Sequence, residues 1–327
     1  MSDYQSVNKI NSLKQGIENL TGETYTDLTS AIKGLKDRSA TNDTSFVVDT
    51  SKLTNFFGFC QKSRFGEYLD KLDTSNGTNF SYMFANCLLT TIPLLNTSKG
   101  TDFSYMFKTN VLLTSIPLLD TSRGTNFSNM FEACPKLITV PLLDTSNGTH
   151  LSHMFNGCSG VTAIPQLDTS KGRYFNYMFN GCSSLTTIPQ LDTSNGEGFE
   201  SMFQRCTALK SVPQLDISKG TSFSNMFGGC SSLQSVELTT TSSNNLSTNV
   251  FDGCTALTNV TIGKGWSVNI FFKNSPLLTQ ECLHSMIENL ADLTGQQAKT
   301  FGIGATNIAK LDDEHKNMLL AKNWNYS

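Results

Sequence analysis

A unit of 24 residues recurs through most of this chain and is read most cleanly from Asp168 onward: an Asp-Thr-Ser-x-Gly turn, an aromatic, Met-Phe, a Cys, a Leu, then Ile-Pro. Aligned on Met-Phe, the copies carry Met83, Met106, Met130, Met154, Met178, Met202 and Met226, spaced by 23 residues once and by 24 thereafter. A fixed period of this length restricts the fold to a solenoid. Each repeat is one coil, and a coil buries its apolar residues only against the coils above and below it. Identical residues then stack in columns along the axis, about 5 Å apart where coils pair as parallel strands.

The columns fall into three kinds. Leu113, Leu137, Val161, Leu185, Leu209 and Leu233 form one apolar column, and Ile92, Ile116, Val140, Ile164, Ile188, Val212 and Val236 a second. Leu95, Leu119, Leu143, Leu167, Leu191 and Leu215 form a third, and together these are the expected core. Pro93, Pro117, Pro141, Pro165, Pro189 and Pro213, with the Gly of each Asp-Thr-Ser-x-Gly, mark the corners. Proline fixes φ and removes a donor, while glycine permits the positive φ of a tight turn. One short parallel strand per coil is expected near Ile-Pro, in a body of about eight or nine coils and about 40 Å.

The variable columns are where selection for partners would act. Asn76, Lys99, Arg123, Asn147, Lys171, Asn195 and Lys219 close the turn, and Tyr82, Tyr105, Asn129, His153, Tyr177, Ser201 and Asn225 precede Met. Both columns are expected to face water. A further column runs Leu94, Leu118, Leu142 and then Gln166, Gln190, Gln214. It reads either as a half-buried strand edge or as a strip, apolar at one end and amide-bearing at the other, that suits a partner protein or a glycan.

Stacked Asp73, Asp120, Asp144, Asp168, Asp192 and Asp216 would repel unless each accepts hydrogen bonds from its own turn. Asn96 and Thr240 stand in the same place as acceptors, which favours turn capping over a calcium site. Of nine cysteines, Cys134, Cys158, Cys182, Cys206, Cys230 and Cys254 share one column, preceded by Cys87 and with Asn110 in the same slot. They read as small buried packing with free thiols, and no Cys-x-x-Cys points to zinc. His150 and His153 lie three apart, and His284 and His315 fall late in the chain. None stands in a recurring ligand frame, so they read as exposed or packing side chains, with no metal and no cofactor expected. Motifs for an acyl-transfer nucleophile, a zinc protease, a phosphate loop or a dinucleotide site are lacking, so no enzyme is expected. A net charge of −3 carries no positive excess that would suggest nucleic acid. The opening MSDYQSVNKINSLKQG has no apolar core of a signal peptide, and no stretch approaches ~20 apolar residues, so membrane insertion is not expected.

Helical spacing of Val7, Ile10, Leu13, Ile17 and Leu20, then of Leu28, Ile32 and Leu35, gives an αα-hairpin within residues 1–40, an attachment or oligomerisation piece. Residues 46–276 form the solenoid, opened by a degenerate coil and closed by a fading one. Residues 277–327 read as a cap: a helix on Leu283, Met286, Ile287 and Leu290 ending at Gly295, a strand at 299–303, and a helix from Leu311 to Lys322 with acids in its first turn.

The unit LxxIPxLDTSxGxxFSxMFxxCxxL closely resembles the BspA-type leucine-rich repeats of bacterial surface proteins and phage proteins, also called the mycoplasma surface-protein repeat. The tail from Leu278 to Trp324 is similar to the end cap of such repeats in Firmicutes and their phages. The opening segment from Ile10 to Asp37 is similar to short pieces at the start of phage tail and appendage proteins. The resemblance implies an α/β solenoid of BspA-like leucine-rich repeats used for adhesion. The function it implies here is a non-enzymatic virion protein of a tail, baseplate or appendage, made in the host cytoplasm. Its solenoid would meet a host-surface glycan or protein, residues 1–40 would join other virion proteins, and the chain would be a homo-oligomer. The alternatives are a bacterial cell-surface adhesin and a purely architectural virion subunit. Tyr82, Tyr105, His153 and Tyr177, with Lys99, Arg123, Lys171 and Lys219 beside them, are the candidate ligand-binding residues. Leu94, Leu118 and Leu142 are the candidate partner contacts.

Overall fold

The structure, a computed structural model, describes residues 50–61, 69, 72–239, 249–272 and 274–327. The expected hairpin within residues 1–40, part of the degenerate first coil and part of the fading coil lie outside these residues. Within the described body, each coil repeats one backbone path. Around Met-Phe, alternate N–H groups donate to the following coil: Phe80 to Asp102 O at 2.8 Å, Tyr82 to Ser104 O at 3.0 Å, Phe84 to Met106 O at 2.9 Å, and so on to Phe227 with Val250 O at 2.9 Å. On the other side of the turn the direction reverses, with Thr101 N donating to Thr78 O at 2.8 Å. The coils are thus tied at both edges of the Phe-Ser-x-Met-Phe segment.

Two columns of phenylalanine fill the interior. Phe84, Phe107, Phe131, Phe155, Phe179, Phe203, Phe227 and Phe251 stack face to face with ring centroids 5.4 to 5.7 Å apart. Phe56, Phe80, Phe103 and Phe127 make a second stack, which Leu151 interrupts before Phe175, Phe199 and Phe223 resume it. The methionines of Met-Phe and the expected Leu and Ile columns are buried beside them, Val140 being half-buried.

A strand at every Ile-Pro is not what forms. Regular strands occur in the last three coils, β1 (Ser211–Leu215), β2 (Ser235–Leu238) and β3 (Asn259–Ile262), which pair in parallel in that order. Proline explains the difference: Pro93, Pro117, Pro141, Pro165 and Pro189 offer no N–H to a ladder. Glu237 and Thr261 replace proline in β2 and β3, and the β1–β2 register slips between Val212 and Leu215, where Pro213 remains. Elsewhere single parallel bridges join the coils, one series at the residue before the turn's aromatic or Leu151, Asn55 to Asn79 to Asp102 to Asn126 to His150 to Tyr174 to Gly198 to Ser222, and another, Ala163 to Thr187, just before Ile-Pro.

The turn glycines also differ from expectation. Gly77, Gly100, Gly124, Gly148, Gly172, Gly196 and Gly220 do not have positive φ; a Cβ at Gly196 would lie 2.3 Å from Phe199 Cζ. Glycine is needed there because a phenyl ring closes against the backbone, not because the turn is left-handed.

The C-terminal region holds β4 (Ile270–Phe271), α1 (Gln280–Asn289), β5 (Lys299–Gly302), α2 (Gly304–Ile308), α3 (Asp313–Ala321) and β6 (Trp324–Tyr326). Strands β4, β5 and β6 form a second parallel sheet. Helix α1 ends at Asn289 rather than Gly295, and Lys322 Nζ donates to the carbonyls of Ile287, Glu288 and Leu290 at that end. The helix α2 and the strand β6 are additions that the apolar spacing did not indicate. Among the described residues no helix is long and apolar enough to cross a membrane.

Candidate functional surfaces

The column before Met is built on strained backbone. Tyr82, Tyr105, Asn129, His153, Tyr177, Ser201 and Asn225 all have φ between 51° and 61°. In L-residues that conformation costs of order 1–3 kcal/mol and persists only where neighbours over-determine it. Here the inter-coil hydrogen bonds on either side of each residue do so. The column does not stand in water as expected: its aromatics are half-buried, and Asn129 and Ser201 are buried. Tyr82 and Tyr105 stack at 4.3 Å and His153 and Tyr177 at 4.6 Å, so much of each ring face is spent on its neighbour. Tyr177 Oη donates to Glu200 at 2.7 Å, and Lys108 lies 5.2 Å from the Tyr105 ring centre while pairing with Glu132 at 2.7 Å. Burial, and after it the charge of Tyr105, pushes the Tyr82 phenol up to about 12, and desolvation lowers His153.

The neighbouring column is also internally paired. Lys99, Lys171 and Lys219 donate to Oδ1 of Asn76, Asn147 and Asn195 on the preceding coil, at 2.5, 2.6 and 2.7 Å. Those asparagines in turn donate to Ser51 O, Ser122 O and Ser170 O. Alternation of Asn and Lys is therefore a coil-to-coil tie before it is a recognition code; Arg123 is exposed.

The aspartates sit as turn acceptors. Oδ1 of Asp120, Asp144, Asp168 and Asp192 accepts from both the N–H and the hydroxyl of the serine two residues on, and Asn96 does the same. Those bonds, the serine hydroxyl first, hold Asp120, Asp168 and Asp216 below the usual carboxylate range.

Leu94, Leu118 and Leu142 lie along one register with 75%, 61% and 62% of their surface exposed. The half-buried strand edge is excluded for these three. Farther along, the Nε2 groups of Gln166 and Gln190 donate to Gln190 O and Gln214 O at 2.8 and 2.9 Å. The glutamines and the Asp168, Asp192 and Asp216 turns line an open trough of about 760 Å³. The strip thus passes from bare leucine to amide and carboxylate.

Two features escaped the sequence reading. The threonine of each turn is buried, and Thr50, Thr97, Thr121, Thr145 and Thr169 donate to the next coil's Asp or Asp-equivalent carbonyl at 2.7 to 2.8 Å. Ile217 in that slot, fully buried, was the available signal. In the cap, His284 of α1 and His315 of α3 stack with ring centres 3.5 Å apart beside Asp312. No periodicity links them, so the sequence offered no signal. The cysteine column is buried and free of disulfides, but it is more than packing: each thiol from Cys134 to Cys254 donates to the carbonyl of the preceding coil's Phe at 2.9 to 3.2 Å. Asn110 keeps that bond from the same slot, its Nδ2 reaching Phe84 O at 2.7 Å.

Parallel coils in register, tied by stacked rings and repeated donors, define a repeat solenoid protein. The chain belongs to a family described as "Mycoplasma protein of unknown function, DUF285", which matches at residues 26–140, 125–241 and 149–266. This is the mycoplasma repeat to which the unit bears its likeness. Among solved structures it is similar to a leucine-rich repeat protein from Bacteroides ovatus, at 15% identity over 81% of this chain and 80% of that one, with a TM-score of 0.35. No curated protein matches the sequence.

Proposed function

We propose that this chain is a non-enzymatic recognition protein, a rigid solenoid of BspA-like leucine-rich repeats that binds a host-surface protein through Leu94, Leu118 and Leu142. The observation that supports the reading is the exposure of three leucines at one register in successive coils, 75%, 61% and 62%, while every other leucine column is buried. Covering three such side chains contributes roughly 3 to 6 kcal/mol, enough to anchor an interface if a polar rim surrounds it. The adjoining glutamines and aspartates supply that rim. Tyr82, Tyr105, His153 and Tyr177 contribute ring edges at a second face, where a glycan is the matching ligand, and Arg123 extends into water beside it. The virion setting, with residues 1–40 as the attachment piece and a homo-oligomeric assembly, rests on the likeness of the opening and closing segments to those of phage proteins.

Binding of labelled protein to intact host cells tests the surface. The Leu94→Ser, Leu118→Ser, Leu142→Ser variant is expected to keep its circular dichroism and lose at least tenfold in binding; unchanged binding refutes the strip. Mass spectrometry of purified particles, set against peptides shaved from the producing cell's surface, separates the virion reading from the adhesin one.

A further inference from the structure

We infer that the C-terminal cap carries a binding site for a divalent transition-metal ion of zinc's kind, made by His284, Asp312 and His315. The three residues come from two helices that pack on one another. His284 lies on α1, Asp312 is the N-cap of α3, and His315 lies in the first turn of α3. One ligand atom from each lies within 4.8 Å of the other two.

The cluster's hydrogen bonding is incomplete in a way that calls for a cation. Asp312 Oδ1 is used locally, accepting from His315 N and facing His315 Nδ1, both at 2.8 Å. Its second oxygen, Oδ2, faces His284 Nε2 at 3.5 Å, yet that nitrogen is buried and makes no hydrogen bond. A carboxylate oxygen bears only lone pairs, so Nε2 without a proton is repelled from it, while Nε2–H at 3.5 Å is too far for a good hydrogen bond; in either tautomer a buried polar atom is left poorly paired, which is costly. Protonating both rings is no remedy, because they stack at 3.5 Å with 8° between planes, and like charges at that range repel. A single divalent ion bound to both neutral rings and the carboxylate gives that nitrogen a partner, once the rings turn out of their parallel stack so that their in-plane lone pairs converge.

The donor set agrees with that ion. Two imidazole nitrogens and one carboxylate oxygen suit zinc, cobalt or nickel rather than calcium or magnesium, which take oxygen. Metal–ligand bonds of about 2.1 Å require the ligand atoms to close by about 1 Å and the two stacked rings to rotate about their side-chain torsions, at a cap whose Asp312 is 43% exposed and open to entry. The charged residues within four positions of the ligands are Glu281 and Glu288 beside His284 and Lys310, Asp313, Glu314 and Lys316 beside Asp312 and His315; four are acidic and two are basic, so the local field favours a cation. Bound metal would join α1 to α3 and so clamp the end of the solenoid.

Titration of chelator-stripped full-length protein with zinc chloride, followed by calorimetry, tests the site, with cobalt(II) chloride as a spectroscopic probe. The expected result is one equivalent bound, visible cobalt bands of a low-coordinate N/O site, and a rise in the melting temperature with zinc. His284→Gln and His315→Gln are each expected to weaken binding at least tenfold. Asp312→Asn keeps an N-cap acceptor, so it folds as the parent does, and it too is expected to lose at least tenfold. Absence of uptake overturns the inference. Uptake that none of the three substitutions weakens, as when buried thiols or His150 take the ion, overturns it equally.

Discussion

Phe179→Ala is the most direct probe of what holds the coils together. The Phe179 side chain is fully buried, with Phe155 stacked 5.7 Å away on one side and Phe203 5.5 Å away on the other. Truncating a buried phenylalanine costs about 3 to 5 kcal/mol through lost transfer energy and the cavity left behind. Two stacked partners add about 0.5 to 1.5 kcal/mol each, so the expected loss is about 5 kcal/mol. The neighbouring Cys182→Ala removes one small group and the thiol that donates to Phe155 O at 3.2 Å, a loss of about 1 to 2 kcal/mol. In a solenoid such a loss falls on the two interfaces of one coil, so unfolding divides there instead of remaining a single transition. Urea unfolding followed by far-ultraviolet circular dichroism reports the coils, while fluorescence of the buried Trp266 and Trp324 reports the C-terminal part. The two signals are expected to separate in Phe179→Ala and to coincide in Cys182→Ala. A loss below about 2 kcal/mol for Phe179→Ala, or one equal to that of Cys182→Ala, refutes the assignment of inter-coil cohesion to the ring stacks.

Burial pushes the thiols of Cys60, Cys134 and Cys254 up to about 12 and raises Cys158, Cys182 and Cys206 well above the ordinary value, so all nine cysteines should resist a thiol reagent at pH 8 until urea is added; rapid native labelling would contradict this. Gly196→Ala places a Cβ 2.3 Å from Phe199 Cζ and 2.9 Å from Thr193 O, and should cost about 1 to 3 kcal/mol in urea unfolding, whereas a turn that needs glycine for nothing would gain stability. Asp120, Asp168 and Asp216 have folded-state pKa values below their unfolded ones, so their contribution is complete above about pH 4 and is lost as pH falls through the folded values. Melting temperature should therefore drop below pH 4, and Asp168→Asn, which keeps the serine donors paired, should flatten that drop; an unchanged slope would remove the turn from the account.

How far the sequence could be read depended on whether a column's chemistry demands a residue type. The leucine and isoleucine columns were legible because a buried slot repeated every coil accepts little else. The aspartate turn was legible because Asn96 substitutes for aspartate without loss of the acceptor. The column before Met was misread as solvated because its constraint is on the backbone, not the side chain. A φ near +57° is imposed by inter-coil hydrogen bonds, and tyrosine, asparagine, histidine and serine all submit to it. Four residues on, a second left-handed column holds Asn86, Thr109, Ala133, Gly157, Gly181, Arg205, Gly229 and Gly253. There glycine appears in half the coils, which is the trace such a constraint leaves. A glycine-poor left-handed column leaves no trace of that kind, so its variability looks like freedom to meet a ligand. The leucine strip is a different case: in sequence Leu94, Leu118 and Leu142 read either as a half-buried strand edge or as an exposed strip, and the structure leaves them bare. Variability alone therefore does not mark a free surface in this fold: the side chains must also be unspent, and among the columns named from the sequence that condition is met best by the three leucines.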